Sequence, residues 1–162
     1  MTADEIIKTL EKSGLHLAIA ESLTGGELCS HLVSVPGASK VVLGSIVAYQ
    51  TGLKSASLGV SSELLANVGA VDPEVALKMA EGVKSRFALQ LMISTDQIIG
   101  ISTTGVAGPD EQDGKPVGLV YIAISGPKGD KVWEESLSGE RNAIRQETVN
   151  RALARIWEYL GH

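Results

Sequence analysis

The sequence predicts a three-layer α/β domain, with a mixed, mostly parallel sheet between helices on both faces. Three observations carry this. Amphipathic helical stretches alternate with short apolar runs along most of the chain. Those runs are built from Val, Ile, Leu and Ala, and only 4% of residues are aromatic, as in strands covered on both sides. Near the carboxyl end, two alternating stretches flank a Gly-Pro-Lys-Gly-Asp turn, which adds an antiparallel hairpin.

Each element has its own signal. Thr2-Ala3-Asp4-Glu5 reads as a capping box, followed by the apolar stripe Ile6, Ile7, Leu10 and a stop at Gly14. Residues 15–20 form a short apolar strand, and residues 21–26 the turn after it. Leu28, Cys29, Leu32 and Val33 mark a helix stopped by Pro36-Gly37. The β-branched, apolar run 41–49 predicts a buried strand. Residues 51–60 fit a loop leading into a short helix, and Ser61 or Ser62 can cap another short helix through Asn67. Asp72-Pro73 supplies an N-cap and a proline at the first helical position. The helix that follows is expected to bury Val75, Ala76, Met79, Ala80, Val83 and Phe87. Residues 98–104 predict a strand ending in Gly105-Val106-Ala107-Gly108-Pro109, and residues 110–115 are polar and turn-like. The hairpin covers 117–125 and 131–137. A helix from about 140 to 160 closes the chain, with Ile144, Thr148, Ala152, Ile156 and Leu160 four apart.

The 162 residues fit one domain, without linker, repeat or low-complexity tract. The net charge of −5 and the lack of any Lys/Arg run argue against a nucleic-acid partner. With Cys29 alone, neither an intrachain disulfide nor a cysteine-based metal site can form, and no metal or other cofactor is expected. The apolar run 98–101 is too short to span a bilayer, and the first residues are no secretory leader, so a cytoplasmic protein without membrane partners is expected.

In open α/β sheets, sites form beyond the carboxyl ends of parallel strands. Ser22 sits on such a strand-to-helix turn, followed by Thr24, Gly25 and Gly26, whose N–H groups could bind a phosphate or an oxyanion. The plainer reading is that Ser22 or Thr24 caps the next helix. A nucleophilic serine needs a base, and His16, His31 and His162 are poorly placed for it. A lysine of lowered pKa is the alternative, and Lys54, flanked by Leu53 and Leu58, is the best candidate. Tyr49 could donate or relay a proton nearby. Gly105 to Pro109 suits a wall that touches a ligand through its backbone. Gly108 to Lys115 lacks the spacing of a phosphate-binding loop, and the acids 110, 111 and 113 do not match a Ca²⁺ loop. Arg141 and Arg145, at the start of the last helix, fit either a bound anion or pairing with nearby acids.

Together these segments resemble the CinA carboxy-terminal family, the nicotinamide-nucleotide amidohydrolases. The marks are Ala20-Glu21-Ser22 with Thr24-Gly25-Gly26, Pro36-Gly37-Ala38, Gly44 to Tyr49, Lys54, Leu58-Gly59-Val60, Thr104 to Pro109, Lys115 to Gly118, and Gly139-Glu140-Arg141 with Arg145. The resemblance implies hydrolysis of nicotinamide mononucleotide to nicotinic acid mononucleotide and ammonia, without a metal, in a homodimer or larger oligomer. It implies Ser22 as nucleophile, Lys54 as its base and Tyr49 as an active-site tyrosine. Substrate contacts are expected from Thr24, Gly25, Gly26, Gly44, Thr104, Gly105, Ala107, Gly108, Arg141 and Arg145. The chain departs from the family pattern at Gln50-Thr51, where Ser-Asn is common, and at the acidic stretch 110–114, where glycines are common. Two other readings remain: a pyridine-nucleotide sensor that turns nothing over, and an interaction partner in DNA uptake or damage responses, which only the family's name suggests.

Overall fold

A computed structural model describes residues 2–162. Helix α1 (Ala3–Ser13) starts at the expected capping box, with the Thr2 N–H donating to Glu5 Oε2 at 2.6 Å and the Glu5 N–H to Thr2 Oγ1 at 3.2 Å. Strand β1 (His16–Glu21) leads into α2 (Glu27–Val33), and β2 (Val42–Val47) into α3 (Thr51–Leu58) and α4 (Ser62–Val68). Helix α5 (Pro73–Leu91) is capped by Asp72, which accepts from the Glu74 N–H. Strands β3 (Ile98–Gly105), β4 (Leu119–Ser125) and β5 (Lys131–Ser136) precede α6 (Arg141–Leu160).

The five strands lie in the order β2-β1-β3-β4-β5. The first three run parallel, and β4 and β5 form the antiparallel hairpin. Alternation along the strands sorts the core into two layers. Leu17, Ile19, Ile99, Ile101, Ile122 and Ile124 face α1, α2 and α6. Ala18, Ala20, Gly100 and Ala123 face the other way, and their small size lets α5 lie close on the sheet. A Cβ on Gly100 would stand 2.1 Å from the Ala80 carbonyl oxygen of α5. On the outer side of α5, a Cβ on Gly82 would stand 1.9 Å from the carbonyl oxygen of Leu58, at the end of α3.

The predicted fold class holds, and several local expectations need correction. The run expected to be a buried strand is the sheet's edge. Strand β2 pairs on one side only, is mostly half-buried, and leaves Val47 and Tyr49 exposed. A β-branched apolar run reads alike at the edge and at the centre of a sheet. Because β2 ends the sheet there, Phe87 is only half-buried and Ala88 takes the core position. Residues 51–58 are helical throughout, although Gln50 makes no side-chain cap. The Asp110–Lys115 segment closes on itself through hydrogen bonds between Gln112 and Lys115, with Asp113 and Gly114 both left-handed. No helix among the described residues is long and apolar enough to cross a membrane.

Candidate active site

The carboxyl ends of β1, β2 and β3 open onto a cavity of about 250 Å³. Its floor is Ser22 and Lys54, and its walls come from Leu23, from Tyr49 to Thr51, from Ala70 and Val71, and from Thr104 to Gly108. Asp110, Gln112 and Arg141 complete the rim.

Ser22 is the first residue after β1, buried, and tied to β3 by its N–H, which donates to the Thr103 carbonyl at 3.0 Å. Its own carbonyl accepts from Gly25 at 3.1 Å, closing a tight turn in which Gly25 and Gly26 adopt left-handed backbone (φ 62° and 101°). Lys54 stands in the first turn of α3 with only 1% of its surface exposed. Its Nζ lies 3.0 Å from Ser22 Oγ and 2.8 Å from the Ala48 carbonyl oxygen. No carboxylate pairs with it among the ion pairs of the described residues. Burial, which disfavours the charged ammonium, lowers its pKa from 10.5 to about 8. A second Lys–Ser pair, Lys84 Nζ and Ser125 Oγ at 2.7 Å, lies where β4 ends beside Gly100, away from the cavity. Depth and a cavity distinguish Lys54 from Lys84, not hydrogen bonding.

Arg145 and the Gly25-Gly26 helix start, both expected to hold a substrate anion, are committed elsewhere. Arg145 donates from Nε to the Leu23 carbonyl (2.9 Å) and from Nη2 to that of Thr24 (3.2 Å), and pairs with Glu27 at 2.7 Å. It braces the Ser22 turn and lines no part of the cavity. The Gly25-Gly26 helix start is also taken. The N–H groups of Gly26, Leu28 and Cys29 all donate to the carboxylate of Glu21. Sequence reading singled out the hydroxyl and the glycines of this turn and missed Glu21, whose signal is a carboxylate at a position facing the core. Thr24 is buried and shares a 2.8 Å hydrogen bond with Thr103, away from the cavity surface. Gly44 lies mid-strand in β2, beside a register shift and under the Phe87 ring of α5, and does not reach the cavity.

The remaining expected residues are brought together. Thr104 lines the wall, with its hydroxyl donating to the Ala70 carbonyl at 2.7 Å. Gly105, Ala107 and Gly108 form the backbone wall. Gly105 has no room for a side chain, since a Cβ would stand 2.7 Å from Val120 Cγ2. Arg141 lies across the mouth, donating to the Gly108 carbonyl and, at 2.6 Å, to the Tyr49 hydroxyl. The departing residues Gln50, Thr51, Asp110 and Gln112 also line the cavity, which sequence reading left unassigned because only the fold brings the start of α3 and the 110–115 turn to one place. Among the described residues, the N–H groups of Leu23, Ala107 and Gly108 make none of the backbone hydrogen bonds in turns and loops.

Known proteins resemble this chain over nearly its whole length. The family model for the CinA C-terminal domain matches residues 1–160. A protein of Desulforamulus reducens named as competence-damage inducible is 45% identical over 148 residues, covering 91% of this chain and 34% of that protein. A CinA-like protein of Frankia casuarinae is 43% identical, covering 91% of this chain and 32% of its own length. The chain thus spans about a third of the length of the curated relatives it matches. Among solved structures, the competence/damage inducible protein CihA of Agrobacterium tumefaciens superposes with a TM-score of 0.87 at 34% identity, over 99% of this chain and 93% of that one. A competence or damage-inducible protein of Enterobacter asburiae gives a TM-score of 0.88 at 27% identity, over 99% of both chains. With its fold, its Ser22 turn and its Thr104–Pro109 wall already in view, the chain belongs to the CinA C-terminal domain family.

Proposed function

We propose that this chain is a serine amidohydrolase that converts the carboxamide of nicotinamide mononucleotide to the acid and ammonia. The observation that carries the reading is the buried Lys54 ammonium 3.0 Å from Ser22 Oγ, at the floor of a cavity. A lysine with a pKa of about 8 has a neutral fraction near neutral pH and can serve as a general base.

Neutral Lys54 takes the hydroxyl proton as Ser22 Oγ bonds to the carboxamide carbon. The oxyanion faces N–H groups left free around the cavity, for which Leu23, Ala107 and Gly108 are available. The C–N bond breaks, and the protonated lysine returns its proton to the departing ammonia. Water then attacks the acyl-enzyme as Lys54 accepts its proton, the ester C–O bond breaks, and Lys54 passes that proton to Ser22 Oγ, which releases the acid and the free serine. With Arg145 and the Gly25-Gly26 turn occupied by the chain itself, Arg141 is the cation left at the mouth for the phosphate. Tyr49, which accepts a hydrogen bond from Arg141, holds that guanidinium in place.

Ammonia release from nicotinamide mononucleotide by wild type and by Ser22→Ala tests the reading. Activity in the wild type and its loss by several orders of magnitude in the variant are expected. Tight nucleotide binding with no ammonia from either protein would reject the amidase in favour of a sensor.

A further inference from the structure

The turn carrying Ser22 is held by two groups of opposite charge. Alternation along β1 puts Glu21 on the face of Leu17 and Ile19, under α2. Its carboxylate is fully buried, and none of the ion pairs among the described residues involves it. Oε2 accepts from the N–H groups of Gly26 (2.9 Å) and Leu28 (3.1 Å). Oε1 accepts from the Cys29 N–H (3.0 Å) and the Ser45 hydroxyl of β2 (3.1 Å). A buried carboxylate is tolerated only when hydrogen bonds replace its hydration, and three of these four donors belong to a helix start, where the dipole favours an anion. Arg145 takes the Leu23 and Thr24 carbonyls of the same turn. With donors drawn to Glu21 and acceptors to Arg145, the peptide planes of the turn have little freedom to rotate.

We infer that Glu21 is a positioning residue for Ser22. Its carboxylate is a built-in anion at the start of α2, and it locks the turn so that Ser22 Oγ stays in line with Lys54 Nζ. The inference rests on the Ser22–Lys54 reading of the site and does not depend on which amide is hydrolysed. Glutamine cannot do the same work, because one carboxylate oxygen becomes an NH₂ group facing N–H or hydroxyl donors.

The test is the rate at which a fluorophosphonate probe labels Ser22, followed by intact-mass spectrometry, with ammonia release from nicotinamide mononucleotide measured in parallel. Glu21→Gln is expected to label about 100-fold more slowly, with kcat reduced to match and KM little changed. A loss of folded protein would instead lower the labelled fraction at an unchanged rate constant. In Glu21→Ala, sodium acetate can enter the vacated cradle and should restore part of the rate, with no effect on wild type. Ser45→Ala removes one donor while keeping every backbone contact, so it carries the test if the Glu21 variants do not fold. Its expected slowing is roughly five-fold. Glu21→Gln or a folded Ser45→Ala that labels at the wild-type rate would overturn the inference. A wild type that labels at Ser22 but releases no ammonia would reject the substrate and leave the positioning test standing. A wild type that does not label at Ser22 would reject both the nucleophile and its positioning residue.

Discussion

Lys54 and Ser22 stand 32 residues apart in the chain and 3.0 Å apart in the fold. One crossover and the helix after it make this contact. β1 delivers Ser22 at its carboxyl end, and the neighbouring β2 ends level with it, so that α3 turns back over the same point. The Lys54 ammonium is thereby enclosed, with the Ala48 carbonyl and the Ser22 hydroxyl as its only hydrogen-bond partners among the described residues. Everything expected of the site depends on that enclosure.

The pH dependence of catalysis follows from it. In the proposed reaction the base is neutral Lys54, so kcat/KM should rise with pH through an apparent pKa of about 8 and level off above it. A pH–rate profile on nicotinamide mononucleotide checks this. A profile flat between pH 6 and 9, a range of about three units around that pKa, would remove lysine as the base.

Stability should move with the same group. The unfolded chain binds a proton at Lys54 up to its ordinary pKa of 10.5, whereas the folded chain releases it near 8. Between those values the unfolded state carries more protons, so stability rises with pH in that window, by up to about 3 kcal/mol. Lys54→Met removes this contribution. The melting temperature of wild type minus that of Lys54→Met should therefore increase as pH climbs from 8 to 10, with Lys54→Met inactive throughout.

Arg141 is expected to read the substrate's phosphate. Arg141→Ala should raise KM for nicotinamide mononucleotide about 10- to 100-fold, the worth of a charge-assisted hydrogen bond, and change KM for the riboside far less. Tyr49→Phe, which removes the hydroxyl that accepts from Arg141, should act in the same direction and more weakly. Equal effects on nucleotide and riboside would place the phosphate elsewhere.

Gly82 tests the packing that seats Lys54. Its added Cβ in Gly82→Ala would meet the Leu58 carbonyl at 1.9 Å, so α3 and α5 must separate. Overpacking of this kind costs about 1–3 kcal/mol, which lowers the melting temperature by roughly 3–10 °C. Because α3 carries Lys54, kcat should fall as well. Thermal scanning and ammonia release read the two effects on one variant.

The sequence alone determined the α/β class, most element boundaries, the capping of α1 and α5 and the hairpin, because periodicity, caps and turn residues act within a few residues of chain. It also named Ser22, Lys54, Tyr49, Arg141 and the Gly105–Gly108 wall, partly from their positions after strands and partly from a resemblance to one family. Only the tertiary structure decided how the charges were spent. Glu21 reaches α2 because strand alternation turns it inward, and Arg145 spans from α6 to the Leu23 and Thr24 carbonyls. Arg145 lies far from those carbonyls in the chain, and Glu21 meets donors a few residues on only because the strand turns directly into the helix, so no periodic pattern records either bond. The edge position of β2 and the depth of Lys54 are likewise set by which strands lie side by side. Burial is a property of neighbours brought from afar, and burial is what lowers this lysine's pKa.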